Sequence, residues 1–433
     1  MLQKNYYKYF SYFLITLSVS SYFIGFIYEE NSAGGGAVDY IHVWSNLQTF
    51  LNNSIVDGIH LTTSYDTEVY MSARPPLLYL VHKLFNPFVG SEIIFKRSVF
   101  AMSLMVPVLF YISLKQKFKK EENVLLVLIS SIIFLSPYFR TSSYWALEEN
   151  FGLIALLLSF LFLNIFLNNS NDVWKNYYQL FLTIFFSSIC VYFDQKLVII
   201  PLICFSQILL SNKPVKLKFF SIFLYFIFSL PFIYLITIWG GIIPHRDALG
   251  RSVGNKLFIH HLGYVLTIIA FYLLPLLLLK GENFFLSLKK FFNQKKNFYL
   301  ISLFFVYLIY LLFFYQYEKQ IIMGKGFVHK TALLFFKDIL YQKIFIYISF
   351  FFSWIIILVY LDGVLKNKLI FLYFFLLSIV VSPLLQEYFD PLIIIMAFTF
   401  LDSKFFLNYK KLIFIYFYLS ILLISSNIYY YNL

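Results

Sequence analysis

Three groups of polar residues in this otherwise apolar chain have the types and spacing that chemistry needs. The first is Gly34-Gly35-Gly36 followed closely by Asp39. A glycine run lets the backbone approach a substrate or present successive N–H groups to an anion. A carboxylate just beyond it could accept the proton of an attacking hydroxyl. Glu29 and Glu30 are the nearest other carboxylates. The competing reading makes the triplet a flexible loop and Asp39 a cap for a helix over 40–51. The second group is cationic: Arg74, followed by Pro75-Pro76, and then His245, Arg246 and Arg251 shortly after Trp239-Gly240-Gly241. Guanidiniums hold phosphate through paired N–H bonds, so these four side chains are phosphate candidates. Lipid headgroup contact, or loop pairs such as Arg246 with Asp247, would use the same residues differently.

The third group is acidic and sits at the ends of apolar runs. Glu148 and Glu149 lie near Arg140 in sequence, Asp194 lies beside Lys196, and Glu387 lies between two apolar stretches. A carboxylate at a helix start is favoured by the helix dipole, so Glu148 and Glu149 read first as caps. Asp194 and Lys196 read as a local pair. Acids at membrane depth are also candidates for acceptor contact or support of a site. No metal is expected: His260 and His261 are adjacent, about 100° apart on a helix, and no metalloprotease, P-loop or nucleophile-elbow pattern occurs.

The elements that must position these residues follow from composition. Of 433 residues, 61% are apolar and only 13% charged, and the mean hydropathy is +0.77. Soluble domains carry about 25% charged residues, so a water-soluble enzyme is excluded, as is a disordered chain. Cys190 and Cys204 both lie in apolar runs, which leaves no disulfide framework. The reading is all-α: a polytopic transmembrane helical bundle of about thirteen spans, with eleven to fourteen allowed. The spans fall at about 9–27, 98–114, 123–137, 151–167, 177–192, 197–210, 219–238, 258–279, 298–315, 344–361, 369–386, 391–401 and 412–429. The first, which follows Lys4 and Lys8 without a convincing cleavage site, is read as a retained anchor. Residues 1–433 form one integral-membrane domain in this reading.

Alternating the loops with the N-terminus inside places 20 basic residues and six acids on the inner side, against 14 basic and 15 acidic residues outside. That is the positive-inside asymmetry, so the net charge of +13 reports topology and does not indicate nucleic acid. Every arginine and every histidine falls outside, whereas the inner loops use lysine alone. Chemistry is therefore expected on the outer face. Three outer loops are long: 28–97, 239–257 and 316–343. In the first, Trp44, Leu47, Phe50 and Leu51 share one helical face, and after Pro75-Pro76 so do Leu77, Val81, Leu84 and Phe85. The second of these, over 75–86, is predicted to lie in the membrane interface, since proline is well tolerated at a helix start. Loop 316–343 is expected to carry another surface helix.

The order of these features resembles the GT-C integral-membrane glycosyltransferases that use polyprenyl-phosphate sugars. The residues that carry it are Asp39 after the glycine run and Arg74-Pro75-Pro76-Leu77-Leu78-Tyr79-Leu80, the latter similar to the Pro-Pro-x-x-Tyr-like segment after the acidic motif of that superfamily. Tyr192-Phe193-Asp194-Gln195-Lys196, Trp239-Gly240-Gly241-Ile242-Ile243 and Leu384-Leu385-Gln386-Glu387-Tyr388-Phe389-Asp390-Pro391 look most like the dolichyl-phosphate-glucose alpha-1,2-glucosyltransferases. The last resembles their late Glu-x-Arg-Tyr-Phe-x-x-Pro stretch but lacks its arginine, and their paired acidic motif is present only as Asp39-Tyr40. The resemblance implies inverting transfer of a sugar from a polyprenyl-phosphate donor, with Asp39 as base. Arg74, His245, Arg246 and Arg251 would be at the donor phosphate, and Glu29, Glu30, Glu148, Glu149, Asp194 and Glu387 in acceptor or supporting roles. It implies no cofactor, a lipid-linked or cell-envelope glycan as acceptor, membrane lipids as surroundings, no nucleic acid, and an inner (cytoplasmic) bacterial membrane. An O-antigen-type polysaccharide polymerase or ligase, and a lipid or glycan transporter, are the alternatives. A transporter predicts charges in mid-span and inverted repeats, whereas here the charges cluster at span ends.

Overall fold

The computed structural model describes residues 2–63, 74–168, 173–242, 252–253, 256–281, 284–315, 317, 324–361 and 365–431, and they are predominantly helical. The all-α class stands. The chain divides into two compact units, one formed by Met1–Leu249 with Tyr416–Leu433 and the other by Gly250–Ile415, where the sequence reading expects one domain.

The first unit holds helices α1 (Leu2–Ile27), α2 (Gly36–Asn52), α3 (Ile55–Thr63), α4 (Leu77–Phe85), α5 (Glu92–Ser103), α6 (Met105–Lys117), α7 (Asn123–Ser131), α8 (Pro137–Tyr144), α9 (Glu149–Asn168), α10 (Val173–Phe193), α11 (Ile199–Leu210) and α12 (Val215–Trp239). Its core is aromatic. Tyr22 of α1 is fully buried, with the rings of Phe100, Phe134, Phe139 and Tyr144 centred 4.8–5.5 Å away. The α7 and α8 stretches form one apolar run bent by 68° at Ser136-Pro137. Proline disfavours helix at the residue before it and suits a helix start, and the Ser136 hydroxyl accepts the Phe139 amide at 3.0 Å to cap the new helix. In α12, Pro231 interrupts the backbone ladder. The Tyr192 hydroxyl of α10 fills the gap, accepting the Phe232 N–H at 3.1 Å and donating to the Phe228 carbonyl.

The second unit is built on α13 (His261–Leu273), which is buried on every side. Around it lie α14 (Phe284–Phe292), α15 (Lys295–Phe314), α16 (Gly326–Phe335), α17 (Ile339–Leu361), α18 (Leu365–Ser378) and α19 (Leu392–Thr399). A last helix, α20 (Tyr409–Tyr431), belongs to the first unit from Tyr416 onward. The one strand pair among the described residues, Ser252–Val253 with Val381–Ser382, is antiparallel. His261 is tied beside it by its Nδ1, 2.8 Å from the Val381 carbonyl.

Each of the thirteen apolar runs contains helix, but the runs are not all long enough to cross. Seven helical stretches among the described residues pass on length and apolarity: 5–27, 92–117, 149–168, 215–239, 297–314, 339–361 and 409–431. The bent pair would make eight. At 1.5 Å per residue, the 12 residues of α11 or the 13 of α13 reach about 20 Å, short of a hydrocarbon core near 30 Å. Several helices of this length and apolarity are those of an integral membrane protein.

The loop helices form where expected, and one of them faces differently. In α2 the buried stripe is Tyr40, Val43, Leu47 and Phe50, rotated from the expected Trp44–Leu51 face. In α4 the apolar residues Leu84 and Phe85 are exposed, while Tyr79 and His82 are buried. Lipid is as apolar as a protein core, so an apolar stripe need not turn inward. Helix α16 fulfils the expectation of a further helix within 316–343.

Candidate functional site

Asp39 does not cap α2, as the sequence reading allowed. The helix begins at Gly36, three residues earlier, because Gly34 and Gly35 adopt the left-handed conformation (φ 76° and 75°) and turn the chain directly into it. Asp39 thus lies in the first turn, where the helix dipole favours a carboxylate. Its side chain remains 44% exposed. Close packing fixes the helix start: a Cβ on Gly36 would lie 2.5 Å from the Trp145 ring, and the Ala33 amide is held by the Thr141 hydroxyl at 2.9 Å.

Facing Asp39 is Arg74, whose Nη2 lies 3.8 Å from Asp39 Oδ2. The fork of the guanidinium is directed elsewhere. Nη1 donates to Glu148 Oε2 at 2.7 Å, Nε lies 2.7 Å from Glu148 Oε1 as an ion-pair contact without hydrogen-bond alignment, and Nη2 lies 3.7 Å from Glu149 Oε1. Pro75 and Pro76 follow Arg74 at once, with α4 starting at Leu77, so the backbone leaves the arginine in a restricted direction. The two glutamates are delivered by a tight return after α8. Ala146 takes a left-handed φ of 51°, and the Leu147 amide bonds back to the Ser142 carbonyl at 2.9 Å.

The cluster continues from Glu149. Its Oε2 accepts the Ser142 hydroxyl at 3.1 Å, and its Oε1 lies 3.3 Å from Lys196 Nζ, which in turn lies 3.7 Å from Asp194 Oδ2. Asp194 also caps the short turn Gln195–Val198 by accepting the Lys196 amide at 3.0 Å. That turn packs hard on α9: a Cβ on Gly152 would lie 2.5 Å from Leu197 Cδ1. Among the described residues, four carboxylates therefore share two cations, an excess of two negative charges if all are ionised. Glu148 is the deepest, only 2% exposed. Burial raises its carboxyl to about 8, with Arg74 opposing and Glu149 and Asp194 adding to the effect. Burial likewise raises Asp194, against the pull of Lys196. For Arg74, burial opposes the charge, but Glu148, Glu149 and Asp39 outweigh it and hold the group well above its ordinary value.

The structure thus brings together Asp39, Arg74, Glu148, Glu149 and Asp194. Glu148 and Glu149 are not simply caps: Arg74 meets both and Lys196 meets Glu149, whereas Arg140 pairs elsewhere. Arg140 is 2% exposed and belongs to a separate staple with Glu30, donating from Nε at 2.8 Å and contacting its other oxygen through Nη2. The same guanidinium donates to the Ser21 hydroxyl, the Ser21 carbonyl and the Phe134 carbonyl at 2.9–3.1 Å. Asn427 of α20 also reaches Glu30, at 3.3 Å. Glu29 pairs at 2.8 Å with Lys96, whose ammonium sits 4.2 Å from the Trp145 ring and 4.6 Å from the Tyr40 ring. Lys96 and Ser142 had no distinguishing spacing in the sequence. Glu387 lies in the second unit, in the short turn Gln386–Tyr388. His245, Arg246 and Arg251 lie outside the described residues.

The cluster offers a half-exposed carboxylate, a guanidinium anchored by Glu148, and a buried carboxyl that binds a proton readily. Such a set can accept a proton from a hydroxyl and recognise an anion beside it. Among the described residues no group of histidine, cysteine and acidic side chains is arranged to hold a metal. Compared with protein-family models, with curated proteins and with solved structures, the chain finds no match.

Proposed function

We propose that this chain is an integral-membrane glycosyltransferase that moves a sugar from a polyprenyl-phosphate donor to a lipid-linked or cell-envelope glycan, with inversion. The reading places it in the cytoplasmic membrane with the N-terminus inside and the Asp39 cluster on the outer face, in a GT-C-like arrangement. The observation that carries it is Asp39 itself: a half-exposed carboxylate in the first turn of α2, across from a guanidinium that Glu148 anchors.

In the reaction the acceptor hydroxyl oxygen attacks the anomeric carbon, and its proton passes to Asp39. The bond from the anomeric carbon to the phosphate oxygen breaks, and the electron pair leaves with the lipid phosphate. Arg74, with His245, Arg246 and Arg251, would neutralise the charge growing on that phosphate. The donor's isoprenoid chain would lie along the apolar helices, which accounts for so apolar an enzyme of sugars.

Asp39→Asn keeps the shape and removes proton acceptance, so transfer should fall by roughly 10²–10⁴. The assay is incorporation of labelled sugar from polyprenyl-phosphate sugars into the glycolipid fraction of proteoliposomes. Glu29→Gln, at an exposed pair, should leave transfer near normal. Full transfer by Asp39→Asn, with expression intact, would remove Asp39 as the base and leave the enzymatic reading without its catalyst.

A further inference from the structure

The proposed function places a donor phosphate at Arg74, yet the fork of that arginine is filled. Glu148 occupies it with one hydrogen bond from Nη1 at 2.7 Å and an ion-pair contact at Nε of 2.7 Å, on the guanidinium that would hold a phosphate. The cluster is accessible at its Asp39 edge, where Asp39 is 44% and Arg74 21% exposed, whereas Glu148 is at the closed end. The other contacts of Nη2, to Glu149 at 3.7 Å and Asp39 at 3.8 Å, are longer than hydrogen bonds. An anion arriving from the open edge would meet, among the described residues, four carboxylates against two cations, and removal of negative charge would favour its entry.

We infer that Glu148 and the phosphodiester of a polyprenyl-linked donor compete for the fork of Arg74, and that the donor is admitted when Glu148 takes up a proton. This rests on the proposed function and adds its regulation. The proton comes from solvent and ends on the Glu148 carboxylate; no other bond changes. The displaced carboxyl, now neutral, no longer repels the phosphate and leaves the Arg74 guanidinium to it. Glu148 is the group suited to this, because it is the most buried of the four carboxylates and its Oε1 accepts no hydrogen bond, while the other charges near it among the described residues have partners besides it. Glu149 of α9 is held by Ser142 and Lys196, and Asp194 and Lys196 hold each other on the turn after α10. Asp39 of α2 meets Arg74, and Tyr79 of α4 acts on the same guanidinium. Burial and the two neighbouring acids raise the Glu148 carboxyl to about 8, which sets the pH at which admission is lost.

The experiment uses the full chain in phosphatidylcholine nanodiscs and farnesyl methyl phosphate, a diester that stays monoanionic across the range. Calorimetric titration from pH 6.5 to 9.5, in two buffers of different ionisation heat, gives Kd and the protons taken up. The expected Kd is flat below about pH 8 and weakens by up to tenfold per pH unit above it, with uptake approaching one proton per ligand. Glu148→Gln should bind the probe with no such slope. A wild-type Kd independent of pH, or a slope retained in Glu148→Gln, would overturn the competition while leaving the phosphate-donor reading in place. Absence of binding by both proteins at every pH would overturn the donor reading as well. Equal competition by phosphatidylglycerol would assign the fork to bilayer headgroups and remove the donor's claim to it. The wild-type proton count needs no variant, so the test survives a Glu148→Gln protein that fails to fold.

Discussion

Glu29 and Glu30 are adjacent, identical in type and both ion-paired, yet their environments predict very different losses when each becomes glutamine. Glu30 is 15% exposed and its partner Arg140 is 2% exposed. Removing the charge from Glu30 leaves a guanidinium in the interior with only hydroxyl, carbonyl and amide oxygens around it. Breaking a buried pair in this way costs roughly 3–5 kcal/mol, most of it the uncompensated charge. Glu29 is 63% exposed, and Lys96 keeps its two aromatic rings when the carboxylate goes. Its loss should be below about 1 kcal/mol. The assay is reversible unfolding of the purified protein in mixed micelles of increasing denaturing-detergent fraction, with both single variants, Arg140→Gln and the double variant Glu30→Gln/Arg140→Gln. The double variant removes both charges together, so it should be no less stable than Arg140→Gln and more stable than the sum of the two losses. Equal losses for Glu29→Gln and Glu30→Gln would refute the reasoning, because exposure would then not decide what an ion pair contributes.

Two further outcomes follow from buried polar groups. Burial holds the His82 imidazole down at about 4 against an ordinary 6.5, and its Nδ1 faces the Asn86 amide nitrogen at 2.9 Å, an acceptor role open only to the neutral ring. Its stabilising contribution should therefore be complete above about pH 6.5 and should fall by about 1.4 kcal/mol per unit as pH drops toward 4, a loss that His82→Phe would abolish in thermal unfolding curves. Tyr192→Phe strands the Phe232 N–H and the Phe228 carbonyl at the Pro231 break and should cost roughly 1–3 kcal/mol. With Pro231→Ala in place the helix can close its own ladder, so the same change should then cost much less; an unchanged cost would show that the hydroxyl does not serve the break.

Much of this protein is set by local sequence. The density of apolar residues and the scarcity of charge dictate membrane helices, and each apolar run contains helix because backbone groups out of water are best satisfied within their own segment. The punctuation is local as well: Ser136-Pro137 breaks and restarts a helix, and Gly34-Gly35 turns the chain into α2. Which residues meet is another matter. Arg74 finds Glu148 and Arg140 finds Glu30, pairings that span 74 and 110 positions and that no spacing announces. The sequence places Arg140 closest to Glu148, yet α8 turns it toward α1, and the reversal at Ala146 turns the glutamates toward Arg74. In α4 the apolar face read from periodicity ends in the exposed Leu84 and Phe85, and only the fold shows that the buried side carries Tyr79 and His82. In water an apolar stripe is driven inward, but in lipid both sides of a helix are equally apolar, so close packing and buried polar partners decide the facing. Hydropathy along the chain therefore determines that there are membrane helices and roughly where they lie; only the packing of distant segments decides which carboxylate each cation receives.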